Sequence, residues 1–508
     1  MKKLRLLSAV VLGLGISSVV AAAEYEAKVP KQITTPDIVE TQTLGKLTFT
    51  DGIPDKETQI KAREDLFMTR AKTAFLNGIP AASTEAIFEG LQNAGVKTNA
   101  IGITENNLDA RQLWLTPNTT SYYAFSPLLV EEPTFIEVPA GVLGFIDDAY
   151  MQYVTDVGAL GEEQGKGATY LIVPKGWKGK LPKGDHFIRY AKTKTNWFLI
   201  RGLSIKGMTP EQVIANMKKT NIYTVSEGKN KETFTNLSGK DMNTIHANNY
   251  EFYEEMNRLV QREDVGALGD DLTGTLASIG IVKGKEFSPT NREKELLAES
   301  AAIANAQART LAFFPTDQGI YKWGGDNLWD FPFGHKNHDF KVNGTVIQDD
   351  RTRFHYIATG ITPAMVNKGG IVKTAAGDID MLGKGSDYIH TARDENGDAL
   401  TGDHVYEITV PAGEFSGAFW SFMPYSGQTR SGLETDSKKI GINSLKEGLE
   451  INKDGSVTII FSAIKPKHTD NWVQTVKGKS FNILFRNYSP LKSWFDGSWE
   501  LGNFKKIN

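Results

Sequence analysis

The segments Leu115-Thr-Pro-Asn-Thr119, Gly144-Phe-Ile-Asp-Asp148 and Tyr153-Val-Thr-Asp-Val-Gly158 lie within residues 111–202, the stretch that decides the fold of this chain. Short apolar runs that combine aromatic and polar residues alternate here with Pro and Gly, a pattern typical of β-strands. The connections are too short for repeated helical crossovers, so the pattern predicts a mostly antiparallel sheet. Residues 147–153 interrupt the strand pattern, and we expect a single helical turn there.

Helices are predicted immediately before this sheet. Residues 55–77 and 83–93 carry apolar side chains at helical spacing, and Asn77-Gly-Ile-Pro80 predicts a break between two helices. Together with the strands they form a predicted α+β domain at 55–205. The preceding residues 24–54 are polar, show no clear period and are predicted to form an extended arm.

The second half of the chain is predicted to return from helix to strand. Residues 206–320 form a helical bridge, in which 291–314 has the most regular helical pattern. Residues 321–375 contain an aromatic-rich loop and a connecting helix near 353–365, and 376–508 form a β domain of sandwich or jelly-roll type. The predicted class is α+β multidomain, with two mainly antiparallel β domains bridged by helices.

The aromatic loop concentrates large apolar side chains in a segment without regular structure, namely Trp323, Trp329, Phe331 and Phe333. A soluble monomer rarely exposes so many together. We therefore expect them to be buried at a domain seam, or between the subunits of a homo-oligomer.

The beginning of the chain and its composition indicate export. Residues 1–23 combine a basic start, an apolar stretch and a final Ala-Ala-Ala, the pattern of a secretory signal peptide. They hold three of the 57 basic residues and no acid, which leaves 54 bases against 60 acids and a net charge of −6. This charge argues against nucleic acid and anionic membranes as partners. Later stretches are too short to span a bilayer, so a soluble periplasmic protein is expected.

The chain contains no cysteine, which excludes disulfides, a thiol nucleophile and a cysteine metal cluster. Sequence signatures of serine hydrolases, zinc proteases and phosphate loops are also absent, and no cofactor is predicted. His335 and His338, with Asp339 and His355, are either metal ligands or residues that cover a seam. The run from Asp394 to Asp398 resembles the start of a calcium loop, but Ala399 occupies the position that needs glycine, so a hairpin turn is predicted.

Several motifs resemble an exported bacterial family that combines the domains of unknown function 1254 and 1214. The first domain is suggested by Leu115-Thr-Pro-Asn-Thr119, Tyr153-Val-Thr-Asp-Val-Gly158, Tyr170-Leu-Ile-Val-Pro174 and Trp197-Phe-Leu-Ile-Arg-Gly202. The second is suggested by Gly417-Ala-Phe-Trp-Ser421, Gln428-Thr-Arg430, Asn471-Trp472 and Arg486-Asn-Tyr488. The resemblance implies two β domains bridged by helices and brings no established activity.

Candidate ligand-binding residues are polar groups embedded in aromatic strands, because buried polar groups need hydrogen-bond partners and a ligand can supply them. They are Asn118, Thr119, Tyr122, Asp147, Asp148 and Asp156 in the first domain, and Trp420, Tyr425 and Arg430 in the second. Turn capping and core packing are the structural alternatives for these residues. The leading functional hypothesis is small-molecule binding in a cleft at the domain seam. The alternative is an envelope hydrolase or lyase that uses the aspartates for acid–base chemistry.

Overall fold

A computed structural model of the chain describes residues 28–118, 121–203, 208–229, 232–316, 323, 327–332, 340–358, 365–366, 371–374, 377–380, 382–437 and 439–507. The chain divides into two compact units, Met1–Asp65 and Leu66–Asn508. Across these described ranges, no helix is long and apolar enough to cross a membrane.

The described part of the first unit contains a small antiparallel sheet. A 3-10 turn (Lys31–Ile33) precedes strands β1 (Ile38–Thr41), β2 (Gly45–Thr50) and β3 (Ile53–Pro54). The strands pair in sequence order, with Ile38 opposite Thr48 and Phe49 opposite Pro54. Residues 38–54, within the segment predicted as an extended arm, thus form strands that pair with one another.

A single long helix, α1 (Lys56–Asn93), replaces the two helices that the sequence predicted. The expected stop at 77–80 was wrong, because tertiary packing outweighs the local signals of Gly78 and Pro80. A methyl group built on Gly78 would lie 3.3 Å from Met256, so this glycine allows a neighbouring helix to approach closely. Residues 79–89 are almost completely buried, which also explains why they show no amphipathic period.

The first β domain consists of two packed sheets and a separate pair of short strands. Its strands are β4 (Ile101–Ile103), β5 (Gln112–Leu113), β6 (Ser121–Leu129), β7 (Thr134–Val138), β8 (Val142–Asp148), β9 (Tyr153–Gly158), β10 (Ala168–Pro174), β11 (Phe187–Ala191), β12 (Thr195–Leu203), β13 (Asn221–Thr224), β14 (Phe234–Asn236) and β15 (Met242–Asn243). A six-stranded sheet, β14-β4-β6-β12-β8-β9, shares a core with the four-stranded sheet β11-β10-β7-β13. The other face of the six-stranded sheet packs on the C-terminal part of α1 through Ile87 and Leu91.

The helical turn predicted at 147–153 was wrong. Asp147 and Asp148 end β8, and a tight turn leads directly into β9 at Tyr153. Met151 adopts a φ of 50°, and its amide donates to the Asp148 carbonyl at 2.9 Å. The Asp148 carboxylate accepts the amides of Tyr150 and Gln152, so a side-chain-stabilised β-turn replaces the helix.

The helical region contains α2 (Pro210–Met217), α3 (Glu251–Arg262), α4 (Asp270–Ala277) and α5 (Asn291–Phe313). Helix α5 begins with a capping box, in which Thr290 and Glu293 bind each other's backbone amides. Its Ala301, Ala304 and Ala308 are buried. His246 precedes α3, and it packs on Phe75, Phe252 and Tyr356.

The described aromatic-loop residues pack inside the second β domain. Trp323 contacts Trp494 and Trp499, and Trp329 packs on Phe422 and Phe504. The expectation of a domain seam or subunit interface was therefore wrong for Trp323 and Trp329, because their indole rings complete the domain's own core. Phe333, His335, His338 and Asp339 lie outside the described residues. Helix α6 (Gln348–Ile357) starts and ends earlier than the predicted connecting helix.

The second β domain is formed by the last part of the chain. It is preceded by a short strand pair, β16 (Lys341–Val342) and β17 (Thr345–Val346), and by a small three-stranded sheet, β18 (Met365–Val366), β19 (Ile371–Thr374) and β20 (Gly377–Asp380). Its own strands are β21 (Ser386–Thr391), β22 (Tyr406–Val410), β23 (Ser416–Ser426), β24 (Ile442–Asn443), β25 (Val457–Ser462), β26 (Trp472–Gln474), β27 (Phe481–Pro490) and β28 (Lys505–Lys506). A short helix, α7 (Lys492–Asp496), follows β27.

Two four-stranded sheets, β21-β27-β23-β24 and β26-β25-β22-β28, enclose one aromatic core in this domain. The outer face of the β21-β27-β23-β24 sheet packs against the helices through Tyr388, Met423 and Leu484. The predicted α+β multidomain class is confirmed, and the jelly-roll topology stays a prediction. The Asp394–Asp398 run forms the predicted turn, in which the Asp394 carboxylate accepts two backbone amides.

Candidate functional site

The first side of the candidate site is one face of the six-stranded sheet. Arg201 on β12 lies directly opposite Tyr123 on β6. Side chains alternate along a strand, so Arg201 shares its face with Leu199 and Trp197, which pack on α1. Tyr123 is buried, whereas Arg201 is half-buried and keeps part of its surface accessible to solvent.

The second side is the outer face of the β21-β27-β23-β24 sheet. On β27, Ile483 and Phe485 enter the sandwich core, so the alternating residues Arg486 and Tyr488 face outward. Tyr388 on β21 is the direct partner of Arg486, and the Arg486 guanidinium lies 5.0 Å from the Tyr388 ring centroid. Such a distance is typical of a cation–π contact.

The segment Thr116-Pro-Asn118 connects the two sides. Arg486 Nη2 donates to the Thr116 carbonyl at 2.9 Å and to Tyr425 Oη at 2.8 Å. Tyr425 Oη in turn donates to the Pro117 carbonyl at 2.9 Å, and the Asn118 amide donates to Tyr488 Oη. These bonds join residues up to 370 positions apart in the sequence, so they fix the first β domain against the second.

Two residues at this junction have strained backbones. Thr116 has a φ of 43° and Arg430 a φ of 65°, a left-handed region that non-glycine residues rarely adopt. The Thr116 amide donates to the Arg430 carbonyl at 3.0 Å. Strain of this kind persists only where surrounding contacts hold it, and it is common at functional sites.

Six side chains gather at this junction, and we call them the Arg–Tyr cluster: Tyr123, Arg201, Tyr388, Tyr425, Arg486 and Tyr488. Both guanidiniums act electrostatically on Tyr123 and on Tyr388. Within the described parts of the chain, neither arginine forms an ion pair with a carboxylate, and the electrostatic partners of both are tyrosines. The Arg486 side chain is almost fully buried, and its Nε has no hydrogen-bond partner there.

The tyrosines of the cluster respond differently to this environment. Burial raises the pKa of Tyr123, and it raises that of Tyr425 to about 12. Burial would also raise the pKa of Tyr388, but the charges of Arg201 and Arg486 and a hydrogen bond from Ser386 outweigh it, so its pKa is lowered.

Three of the nine predicted site residues lie at the junction. Tyr425 belongs to the cluster, and Asn118 donates to its Tyr488. The Arg430 carbonyl accepts from the neighbouring Thr116 amide. The Arg430 guanidinium is fully buried 4.0 Å from the centre of the Tyr356 ring, and burial lowers its pKa to about 10. Trp420 faces the sandwich core instead, where it packs on Phe485. Thr119 lies outside the described residues.

The remaining predicted residues lie elsewhere on the first domain. Tyr122 points to the opposite face from Tyr123, where it is half-buried beside the core between the two sheets. Alternation along β8 places Asp147 and Asp148 on opposite faces of the sheet. Asp156 pairs with Phe145, two residues from Asp147, and therefore shares the face of Asp147.

Burial raises the pKa of two of these aspartates. It raises the pKa of Asp148 to about 6, although the amides of Gln152 and Tyr150 oppose the shift. It raises that of Asp156 to about 7, and the neighbouring charge of Glu163 adds to the shift. Tyr153 Oη lies 3.2 Å from an Asp156 carboxylate oxygen. Neither aspartate is among the groups that determine the other's pKa, so these two do not act as a close pair.

A metal centre needs several suitable side-chain ligands in one place. No group of three His, Cys, Asp or Glu residues suited to a metal ion occurs in the described ranges. His355 is buried in α6 against Phe340 and Phe354, and burial lowers its pKa to about 3. Whether His335 and His338 bind a metal stays a prediction, because both lie outside the described residues.

The sequence interpretation missed five site residues, three of which it quoted within motifs: Tyr123, Arg201, Tyr388, Arg486 and Tyr488. The available signal was an arginine at the end of an apolar strand. A charged side chain there must either leave the sheet for solvent or meet a partner on the buried face. Which partner it meets depends on contacts between the two halves of the chain.

Comparison with known proteins agrees with this two-domain arrangement. Residues 98–224 match the family described as protein of unknown function (DUF1254), and residues 385–492 match protein of unknown function (DUF1214). No curated protein matches the sequence.

Two solved structures are similar to this chain. The VPA0106 protein from Vibrio parahaemolyticus is 16% identical, with a TM-score of 0.51 that covers 87% of this chain and 100% of that one. At this identity, the likeness shows a shared fold alone. An uncharacterized protein from Burkholderia cenocepacia is 10% identical, with a TM-score of 0.36 over 89% of this chain and 97% of that one. The two family matches confirm that this chain combines both domains of the two-domain family of unknown function that its motifs resemble.

Proposed function

We propose that this protein binds a small molecule through a carboxylate, sulfate or phosphate group at the Arg–Tyr cluster. The observation that carries the proposal is the presence of two guanidiniums, Arg201 and Arg486, whose described electrostatic partners are tyrosines. Arginine stays charged at any ordinary pH. A charge removed from water is costly unless an opposite charge compensates it.

An oxyanion is the ligand group that this arrangement suits best. The planar guanidinium presents paired N–H donors that match two oxygens of a carboxylate or phosphate. Arg486 uses Nη2 for Thr116 and Tyr425, and its Nε remains as a donor. Arg201 is half-buried, so part of its surface remains accessible to solvent and to a ligand. The phenol rings add apolar surface around the charged centre.

The proposed setting is the bacterial periplasm. The signal-peptide pattern of residues 1–23 and the absence of cysteine support export. The acidic net charge of the chain also agrees with this proposal. The positive charge that attracts the anion is then the local charge of the two arginines in the cluster.

Calorimetric titration tests the binding proposal. We expect at least one of acetate, succinate, sulfate or phosphate to bind the unmodified protein, and we expect Arg201→Gln to abolish that binding. Gln keeps most of the side-chain length but removes the charge. The matched control is Arg292→Gln, a surface change on α5 that should leave binding intact. Equal affinity of the Arg201→Gln variant and the unmodified protein would refute the proposal.

A carboxylate acid–base enzyme is the second candidate, and the raised pKa values of Asp148 and Asp156 favour it. Asp156 is the stronger of the two, because Asp148 already stabilises a turn. Nitrophenyl ester and glycoside probes offered to the protein and to Asp156→Asn provide a test. Turnover by the unmodified protein alone would support this candidate, and equal turnover by both would exclude Asp156 from the chemistry.

A further inference from the structure

Tyr388 occupies a special position in the Arg–Tyr cluster. It lies opposite Arg486 in register, with the guanidinium 5.0 Å from its ring centroid, and Arg201 approaches from the other domain. Ser386 Oγ lies 2.5 Å from Tyr388 Oη. A serine hydroxyl can donate to a phenolate, so the contact is compatible with an ionised Tyr388.

Two other tyrosines of the cluster are less suited to ionisation. Tyr425 must keep its proton to donate to the Pro117 carbonyl, and burial raises its pKa to about 12. Burial likewise raises the pKa of Tyr123.

The charged and titratable groups around Tyr388 come from four strands. They are Arg201 on β12, Tyr123 on β6, Tyr425 on β23, and Arg486 and Tyr488 on β27. None of these described neighbours is a carboxylate. Among the described residues, the two positive charges thus face phenols and no carboxylate, and an ionised phenol is the way this set of residues can lower its own net charge.

We propose that the Tyr388 phenolate provides the countercharge for Arg201 and Arg486 in the ligand-free protein, and that an incoming oxyanion replaces it while Tyr388 takes up one proton from solvent. This inference rests on the proposed anion site. Tyr388–O⁻ and one H⁺ give neutral Tyr388–OH, so the anion's charge replaces the charge that the phenolate loses. In the pH range in which Tyr388 of the ligand-free protein is ionised, the affinity of the protein for the anion should fall. The fall should be up to tenfold for each unit of rising pH, because one proton binds with the anion.

The first test needs no ligand. Near-ultraviolet absorbance of the phenolate is followed while the ligand-free protein is titrated upward from neutral pH. We expect the protein to show one tyrosine that ionises below the ordinary pKa of about 10, and we expect Tyr388→Phe to lack that step. Tyr223→Phe, at a half-buried position on β13, is the matched control and should retain it. Identical curves for the unmodified protein and Tyr388→Phe below that pH would overturn the inference.

The second test measures the proton itself. Sulfate and acetate are titrated calorimetrically at mildly alkaline pH in two buffers of different ionisation enthalpy, since neither anion gains or loses a proton there. We expect uptake of up to one proton per bound anion by the unmodified protein, and no uptake for each anion that Tyr388→Phe binds. Binding that requires Arg201 but takes up no proton would refute this inference and leave the binding proposal standing. If the unmodified protein shows neither anion binding nor the early phenol ionisation, both the binding proposal and this inference are refuted.

Discussion

Two buried arginines, Arg353 on α6 and Arg486 on β27, differ in one respect. Arg353 is fully buried and forms an ion pair with Asp330, and it donates to the Phe331 carbonyl at 2.8 Å. Arg486 is equally buried, but its described partners are a carbonyl and phenols. An antiparallel bridge between Asp330 and His390 fixes the carboxylate near Arg353. Burial alone therefore does not define the role of an arginine. The group that compensates its charge defines it.

The largest expected effect is at the paired site. Asp330→Asn should destabilise the protein by about 3–5 kcal/mol, because it leaves Arg353 buried without an opposite charge. Chemical denaturation measures the loss, and Asp436→Asn on the surface is the matched control. A cost no greater than that of the control would show that Asp330 does not compensate Arg353, and the comparison would fail.

The next effect is expected at the Arg–Tyr cluster. Sulfate at about one hundred times its dissociation constant should stabilise the unmodified protein by about 2.7 kcal/mol. Arg201→Gln should lose this protection, whereas Arg292→Gln should keep it. Protection of all three proteins to the same extent would indicate a general salt effect and would contradict a specific site. Denaturation curves with and without sulfate provide the measurement.

Tyr425 links the cluster to the contact between the domains. Tyr425→Phe removes the hydroxyl that Arg486 and the Pro117 carbonyl share, and leaving such buried groups unpaired costs about 1–3 kcal/mol. The variant is compared with Tyr223→Phe in urea denaturation, because Tyr223 makes one half-buried contact with Glu137. A loss no larger than that of Tyr223→Phe would mean that the junction does not depend on this hydroxyl.

The smallest expected effect is the contribution of Asp156 to the change of stability with each unit of pH. Its pKa is about 7 in the folded protein and about 3.9 in an unfolded chain, so the folded state binds more protons between these values. Stability should therefore fall as pH rises from about 4 to about 7, by at most about 1.4 kcal/mol per unit for this group. Asp156→Asn should remove its share of the slope. Parallel pH profiles for both proteins would show that Asp156 is not the responsible carboxyl.

Local patterns predicted much of the fold correctly. The regular spacing in α5, the antiparallel sheets and the Asp394–Asp398 turn depend on neighbouring residues, and the structure has all three. The break in α1 and the helical turn at 147–153 were wrong because distant packing or a pairing strand decided the backbone there. The same limit applied to the site. Asn118 and Tyr425 were predicted as ligand-binding residues, but their convergence with Arg486 depends on contacts across hundreds of residues.

Helix α1 supplies core residues to both family domains, although it lies outside both of the matched segments. The domain matched at 98–224 lacks Ile87 and Leu91, which form part of its core, and the domain matched at 385–492 shares a core with Phe75 and Ile79 of the same helix. A methyl group on Gly90 would lie 2.1 Å from the Asn243 carbonyl oxygen, so little freedom remains for the helix to shift. Neither domain can therefore be inherited or exchanged alone without losing the part of its hydrophobic core that α1 supplies. Natural selection would act on this pair as one cooperative folding unit.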